Sequence, residues 1–136
     1  MGYHPSLLPR HRGRDAVKWT VHMGDAIAGG SIYWLSNRVD GGPIAAADWC
    51  HARPGETASD LWRDRLFPMG LRLLERVLAD LDRGLIVRVD QDDACATWEP
   101  SWSRPPVERP DLMQLPPPGG DRLAGRFRVV RERDAA

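Results

Sequence analysis

The chain has 136 residues, in which 19 basic and 19 acidic side chains cancel. No net field therefore draws it to nucleic acid or to a membrane surface. Hydrophobic residues make up 42% and charged residues 28%, the balance of one globular domain. No run approaches the ~20 apolar residues of a membrane span, and the start lacks the apolar core of a signal peptide.

Residues 2 to 13, Gly-Tyr-His-Pro-Ser-Leu-Leu-Pro-Arg-His-Arg-Gly, predict a stiff loop. Pro5 and Pro9 each fix φ and remove a backbone donor, so neither a regular helix nor a central strand passes through. Arg14 to Met23 follows as a short helix, with Ala16, Val17, Thr20 and Val21 at helical spacing and Gly24 as its stop. Gly29-Gly30 introduces Ser31 to Leu35, a run of β-formers read as a strand. Asn37 to Gly42 is turn-like, and Pro43 to Cys50 is a second strand. Pairing the two as a hairpin places Asp40 at its tip.

Thr57 with Asp60 marks a helix start. Leu66, Gly70, Leu73, Leu74, Val77 and Leu81 then form an apolar stripe that ends at Gly84. Pro68 lies inside the pattern and predicts a kink or break near Leu66. Leu85 to Val89 is expected to be a short strand, and Gln91 to Trp98 irregular. Pro100, Pro105, Pro106, Pro110 and Pro116 to Pro118 make the remainder an extended, proline-rich tail, with a small apolar patch at Phe127 to Val130. The division expected is a catalytic unit over residues 1–98 and a largely irregular tail over residues 99–136.

Several residue types invite a chemical reading. A stiff loop carrying His4 is the rigid mount that general acid–base catalysis needs, although a His-Pro-Ser turn can also be structural, the ring satisfying a backbone carbonyl. Asp40 on its own is a turn residue bonding its own backbone. Arg10, His11, Arg12 and Arg14 form a basic cluster suited to a phosphate-bearing substrate, or else a solvated loop. Cys50 and Cys95 have no Cys-x-x-Cys spacing and are read as reduced, buried thiols of a cytosolic protein rather than a disulfide. The spacings of His22, Cys50 and His51 match no common metal site, so no metal is expected. Trp19, Trp34, Trp49, Trp62, Trp98 and Trp102 are assigned mainly to the core or a sheet face, with some left covering otherwise exposed surface.

The opening segment resembles the His-x-Ser-Leu-Leu-Pro-x-x-x-Gly signature of the folate-dependent formyltransferases, the family of methionyl-tRNA formyltransferase and glycinamide ribonucleotide transformylase. Ala28-Gly29-Gly30-Ser31-Ile32 is similar to a family strand. Val39-Asp40-Gly41-Gly42-Pro43-Ile44 resembles the family's Asp-x-Gly-Pro-Ile-like turn, and Glu56 to Leu61 its following helix. Gln91 with Ala96-Thr97-Trp98 resembles the segment near the end of its catalytic domain. These landmarks run in the family's order over residues 2 to 98.

The resemblance implies an α/β fold, the C-terminal portion of a Rossmann-like formyltransferase domain with short strands, two to three helices and a proline-rich tail. It implies formyl transfer from 10-formyltetrahydrofolate, as co-substrate, to an amine acceptor, in the cytoplasm and without metal. The amine attacks the formyl carbon, and a proton must pass from the incoming to the leaving nitrogen while the carbonyl oxygen gains charge. His4 is implied as proton shuttle and oxyanion donor, with Asp40 orienting it. The backbone of Val39, Asp40, Gly41 and Gly42 is implied to line the pterin pocket, with Arg10, Arg12 and Arg14 on the acceptor.

The function implied is methionyl-tRNA formyltransferase-like, but the sequence does not name the acceptor: an amino nucleotide sugar and a small amine stay open, and tRNA is weakly supported because the family's tRNA enzymes use a further barrel-like domain. Hydrolysis of the formyl donor is the variant within the same chemistry. Three departures stand out. Gly2 replaces the family's asparagine, an amide donor whose loss costs ~10²–10³ in rate. The family's N-terminal half is expected to be missing, which would leave a sheet edge open to self-association. Arg14-Asp15-Ala16 replaces a proline-containing sequence. A different class of function, an inactive truncated fragment or a binding module, follows if those losses are decisive.

Overall fold

The computed structural model describes residues 1–101. The proline-rich tail beyond Ser101, with Trp102 and the patch at Phe127 to Val130, lies outside the described residues.

Three strands form one antiparallel sheet in the order β1 (Gly2–His4), β2 (Ile27–Tyr33) and β3 (Ile44–His51). β1 sets Gly2 opposite Tyr33 and His4 opposite Ser31. β2 and β3 pair from Ile27–His51 to Tyr33–Ile44, with an irregularity between Ile32 and Tyr33. The hairpin expected from the glycine pair and the β-formers is therefore present, and Asp40 lies in its connection. Helix α1 (Ala16–His22) follows the opening loop, and Gly24, at φ 66°, turns the chain out of it.

The long helical segment changes its hydrogen-bond register at Leu66. Helix α2 (Ala58–Leu61) begins as expected, the Thr57 side chain accepting from Asp60 N. The segment stays helical through Pro68 but is irregular near Leu66, where the proline predicts a kink or break. A wide turn of π type, Trp62–Leu66, leads straight into α3 (Phe67–Asp82), and Pro68 falls in α3's first turn, where a missing donor is tolerated. The hydroxyl of Tyr3 donates to Leu66 O at 2.6 Å. The same tyrosine explains Gly70, since a Cβ there would sit 2.6 Å from its ring.

One face of the sheet packs on α3. Ala28, Ile32, Ala45 and Ala46 meet Leu61, Leu66, Met69, Leu73 and Val77, all buried. Small residues on the strands let the helix approach closely, and each buried Leu contributes about 1.5–3 kcal/mol. The core is thus aliphatic. None of the described tryptophans is buried, so none is a core residue: Trp34 packs against the cluster from its edge, and Trp49, on β3, and Trp62 are exposed.

Two further expectations are corrected. Leu85 to Val89 is not a strand: Val89 makes a single bridge to Ile44, Leu85, Ile86 and Val89 are exposed, and the Val87 carbonyl is taken by Trp34 Nε1 at 2.8 Å. Of the two free thiols, Cys95 is exposed and Cys50 only half-buried, so neither is a core residue.

Candidate active site

Alternation along β1 and β2 puts Gly2, His4, Ser31 and Tyr33 on one face, while Tyr3 and Ile32 turn to α3. Ser31, fully buried, ties the opening loop to that face: its hydroxyl donates to Ser6 O at 2.8 Å and accepts from Leu8 N at 3.1 Å. The Leu8–Pro9 peptide is cis. From there the chain doubles back over His4.

His4 is 6% exposed. Its Nε2 lies 2.6 Å from the carbonyl oxygen of His11. A carbonyl can only accept, so Nε2 carries a proton and Nδ1 is the nitrogen that gains or loses one. Nδ1 faces Asp40 Oδ2 at 3.5 Å, looser than a hydrogen bond, as catalytic contacts often are before substrate arrives. The structural and chemical readings of His4 therefore hold together: one nitrogen is anchored, the other faces an acid. Burial pulls the imidazole below its ordinary pKa, with the Asp40 charge opposing.

Asp40 sits in the left-handed region at φ 47°, a conformation that costs energy and gathers at functional sites. Its carboxylate is held from two sides. Gly13 N donates to Oδ2 at 2.8 Å and Tyr33 Oη donates to Oδ1 at 2.6 Å. Behind it, the Gln91 amide donates to the carbonyls of Asp40 and Gly42 at 2.8 and 2.6 Å. Gln91 Oε1 in turn accepts from Arg12 at 3.0 and 2.7 Å. Gly42 is fixed by space, because a Cβ would lie 1.7 Å from Trp34 O.

A second histidine, His11, is 2% exposed and also left-handed, at φ 53°. Its Nε2 lies 2.9 Å from Asp25 Oδ2, and its Nδ1 lies 3.0 Å from Glu99 Oε1, an ion pair outside hydrogen-bond geometry. Burial alone would lower its pKa; the two carboxylates outweigh that and raise it to about 8. Thr97 straps the same stretch, its Oγ1 accepting from His11 N, its O from Arg12 N, and its N donating to Pro9 O.

The cationic cluster read from the sequence is dispersed by these contacts. Arg10 pairs with Asp25. Arg12, 8% exposed, pairs with Gln91 and Asp93. Arg14 is exposed, between Gly13 and Asp15, and those two line a cleft of about 370 Å³ beside His4, with Pro5, Lys18, Ser59 and Trp62. A smaller depression of about 240 Å³ is lined by Tyr33, Leu35, Arg38, Val39 and Asp40. Gly41 and Gly42, which follow Asp40 in the chain, are buried. Among the described residues no group of three or more His, Cys, Asp or Glu side chains is placed to hold a metal ion.

Sequence reasoning missed Tyr33, Asp25 and Glu99. For Tyr33 a signal existed: two residues from Ser31 on a strand paired with β1, it shares His4's face. Asp25 and Glu99 carry no local pattern, and only the fold brings them to His11.

Comparison with known proteins settles the family. The family model described as formyl transferase matches residues 1–78. This chain belongs to the formyl transferase family. Within it, the mitochondrial 10-formyltetrahydrofolate dehydrogenase of Mus musculus is 40% identical over 97 residues, covering 71% of this chain and 10% of that protein. The methionyl-tRNA formyltransferase of Acidobacterium capsulatum is 33% identical over 104 residues, covering 76% of this chain and 33% of that protein. The chain thus spans a small part of the length of these relatives. HypX from Aquifex aeolicus, solved in complex with tetrahydrofolic acid, shares the fold with a TM-score of 0.65 at 21% identity, over 72% of this chain and 17% of that one. The α/β arrangement is that of a formyltransferase domain, here an antiparallel sheet of three strands with helices on it.

Proposed function

We propose that this chain carries the proton-handling part of a site that transfers the formyl group of 10-formyltetrahydrofolate to an amine. The observation that carries the reading is the meeting of His4 Nδ1 and Asp40 Oδ2 at 3.5 Å. His4 is a neutral base at neutral pH, held there by burial. As the amine attacks the formyl carbon, its nitrogen becomes acidic, and Nδ1 takes up the proton under the field of Asp40. The imidazolium then returns it to the leaving folate nitrogen, so the ring ends as it began.

The two depressions suggest a division of labour. The pterin side of the donor lies against Val39 and Asp40, with Gly41 and Gly42 continuing the wall. The acceptor enters from the cleft beside His4, where Lys18, ion-paired to Asp15 at 3.0 Å, is the cation on the lining, and the exposed Arg14 is the neighbouring charge for a phosphate-bearing amine. Arg10 and Arg12 serve the acceptor through the loop they hold. Support for a folate donor comes from relatives named for 10-formyltetrahydrofolate and from a structural neighbour solved with tetrahydrofolic acid.

A second reading has water as the acceptor. It is favoured by the likeness to 10-formyltetrahydrofolate dehydrogenases, 40% identical over 97 residues. Both readings share the pair and differ in product. Incubation with 10-formyltetrahydrofolate, with and without an added aminated nucleotide sugar, separates them. Formylated amine identifies the transferase and free formate the hydrolase. Absence of tetrahydrofolate in both, with no calorimetric binding of a folate analogue at millimolar concentration, leaves the chain a binding module and rejects the proposal.

A further inference from the structure

The pairing of β1 with β2 sets Gly2 directly across from Tyr33. A Cβ built on Gly2 would lie 3.1 Å from Cε1, Cζ and the hydroxyl oxygen of Tyr33. That is tighter than side chains ordinarily pack, so the phenol fills the volume that any side chain at position 2 would enter. The space is used for one purpose. From it the Tyr33 hydroxyl reaches Asp40 Oδ1 at 2.6 Å, while Oδ2, with Gly13 N at 2.8 Å, is left turned toward His4 Nδ1.

A carboxylate with a donor on each oxygen cannot rotate about its Cβ–Cγ bond without breaking one of them. Burial, then the bond to Asp40, raises the phenol to about 12, so it remains a donor through the whole range in which an imidazole titrates. Gly13 N alone would leave Oδ1 unheld and the plane of the carboxylate undefined.

We propose that Tyr33 is a positioning residue for Asp40, and that Gly2 is its steric complement: the missing side chain at position 2 gives the phenol the room from which it fixes the acid facing His4. The inference rests on the proposed formyl-transfer reading for its consequence in rate, but not for its geometry. Tyr33 acts through Asp40 and touches no reacting atom. Its removal should lower kcat and leave the donor's KM nearly alone.

The test is a cycle of Tyr33→Phe, Gly2→Ala and the double variant, each read in two ways. In the first, turnover of 10-formyltetrahydrofolate by Tyr33→Phe should drop about tenfold in kcat, because small misplacements of a catalytic group are costly, with KM changed less than about twofold. Gly2→Ala should push the ring aside and lose kcat in wild-type background. It should lose little further when the hydroxyl is already gone, since both act through one contact. In the second, the His4 imidazole is followed by proton–nitrogen NMR without substrate. With Asp40 released its support for the imidazolium weakens, and the titration midpoint of His4 should fall in Tyr33→Phe.

A kcat within about twofold of wild type in Tyr33→Phe, additive losses in the double variant, or an unchanged or raised His4 midpoint would each overturn the proposal. If the wild-type chain turns over no formyl donor, the formyl-transfer reading fails by itself, and the NMR titration still decides whether Tyr33 positions Asp40.

Discussion

Raising the pH should loosen this fold by an amount that can be worked out from His11. The imidazole is buried between Asp25 and Glu99. Burial lowers its pKa, the carboxylates raise it more, and the result is about 8 against an ordinary 6.5. A base held above its unfolded value contributes its full stabilisation below pH 6.5 and loses it as pH rises through 8. The difference, 8 − 6.5, is about 1.5, and at about 1.36 kcal/mol per pH unit it corresponds to about 2 kcal/mol. His4 works in the other window: its pKa is lowered by burial, so it subtracts stability only as pH falls below 6.5. Urea unfolding followed by tryptophan fluorescence between pH 6.5 and 8.5 isolates the His11 contribution. With a slope of about 1–3 kcal/mol per molar urea, the midpoint should fall by about 1 M across that interval. In His11→Gln the fall should vanish. A wild-type midpoint that stays level or climbs would mean the ring is not held as a cation, and the reasoning would be refuted.

Two other substitutions test how the loop and turn are held. Gly42→Ala would place a methyl 1.7 Å from Trp34 O; the Asp40 turn must then move, and thermal unfolding should show a loss of about 1–3 kcal/mol. A neutral result would mean the turn is not packed on that carbonyl. Ser31→Ala removes the hydroxyl that joins Ser6 O and Leu8 N. A loss of about 1–3 kcal/mol in urea unfolding is expected for stranding buried partners, and an unchanged midpoint would show that the loop stands without it.

The sequence made the local structure readable because local rules govern it. Thr57 and Asp60 announce a helix start through one turn of chain, and the Leu66 to Val77 spacing gives away the buried face of α3. The hairpin follows from β-formers on either side of a turn, and with it the position of Asp40. Pro68 marks the irregularity near Leu66, but its form, a preceding turn widened to a π-type register, has no mark in residue identity. Leu85 to Val89 looks like a strand by composition, yet a strand needs a neighbour, and only Val89 finds one.

The site was half legible. His4 stands out by its rigid mount and by resemblance, Asp40 by resemblance alone. What holds them does not. Gln91, recognised as part of a motif, turns out to clamp the backbone of Asp40 and Gly42. Thr97, from the same motif, straps the loop at His11. His11 itself looks like one more surface cation until Asp25 and Glu99 arrive from 14 and 88 residues away to bury it. Contacts of that range are set by the fold, and no local window contains them.

The central claim is that an imidazole kept neutral by burial takes the transferred proton while Asp40 faces it. The pH dependence of kcat/KM for 10-formyltetrahydrofolate, measured for the wild type and for Asp40→Asn, tests it most directly. The account predicts a wild-type rate that rises with pH through an apparent pKa below 6.5, then levels, and a rate for Asp40→Asn reduced at every pH by about a hundredfold or more. Equal rates in the two proteins, or a wild-type profile indifferent to pH between 5 and 7, would contradict it.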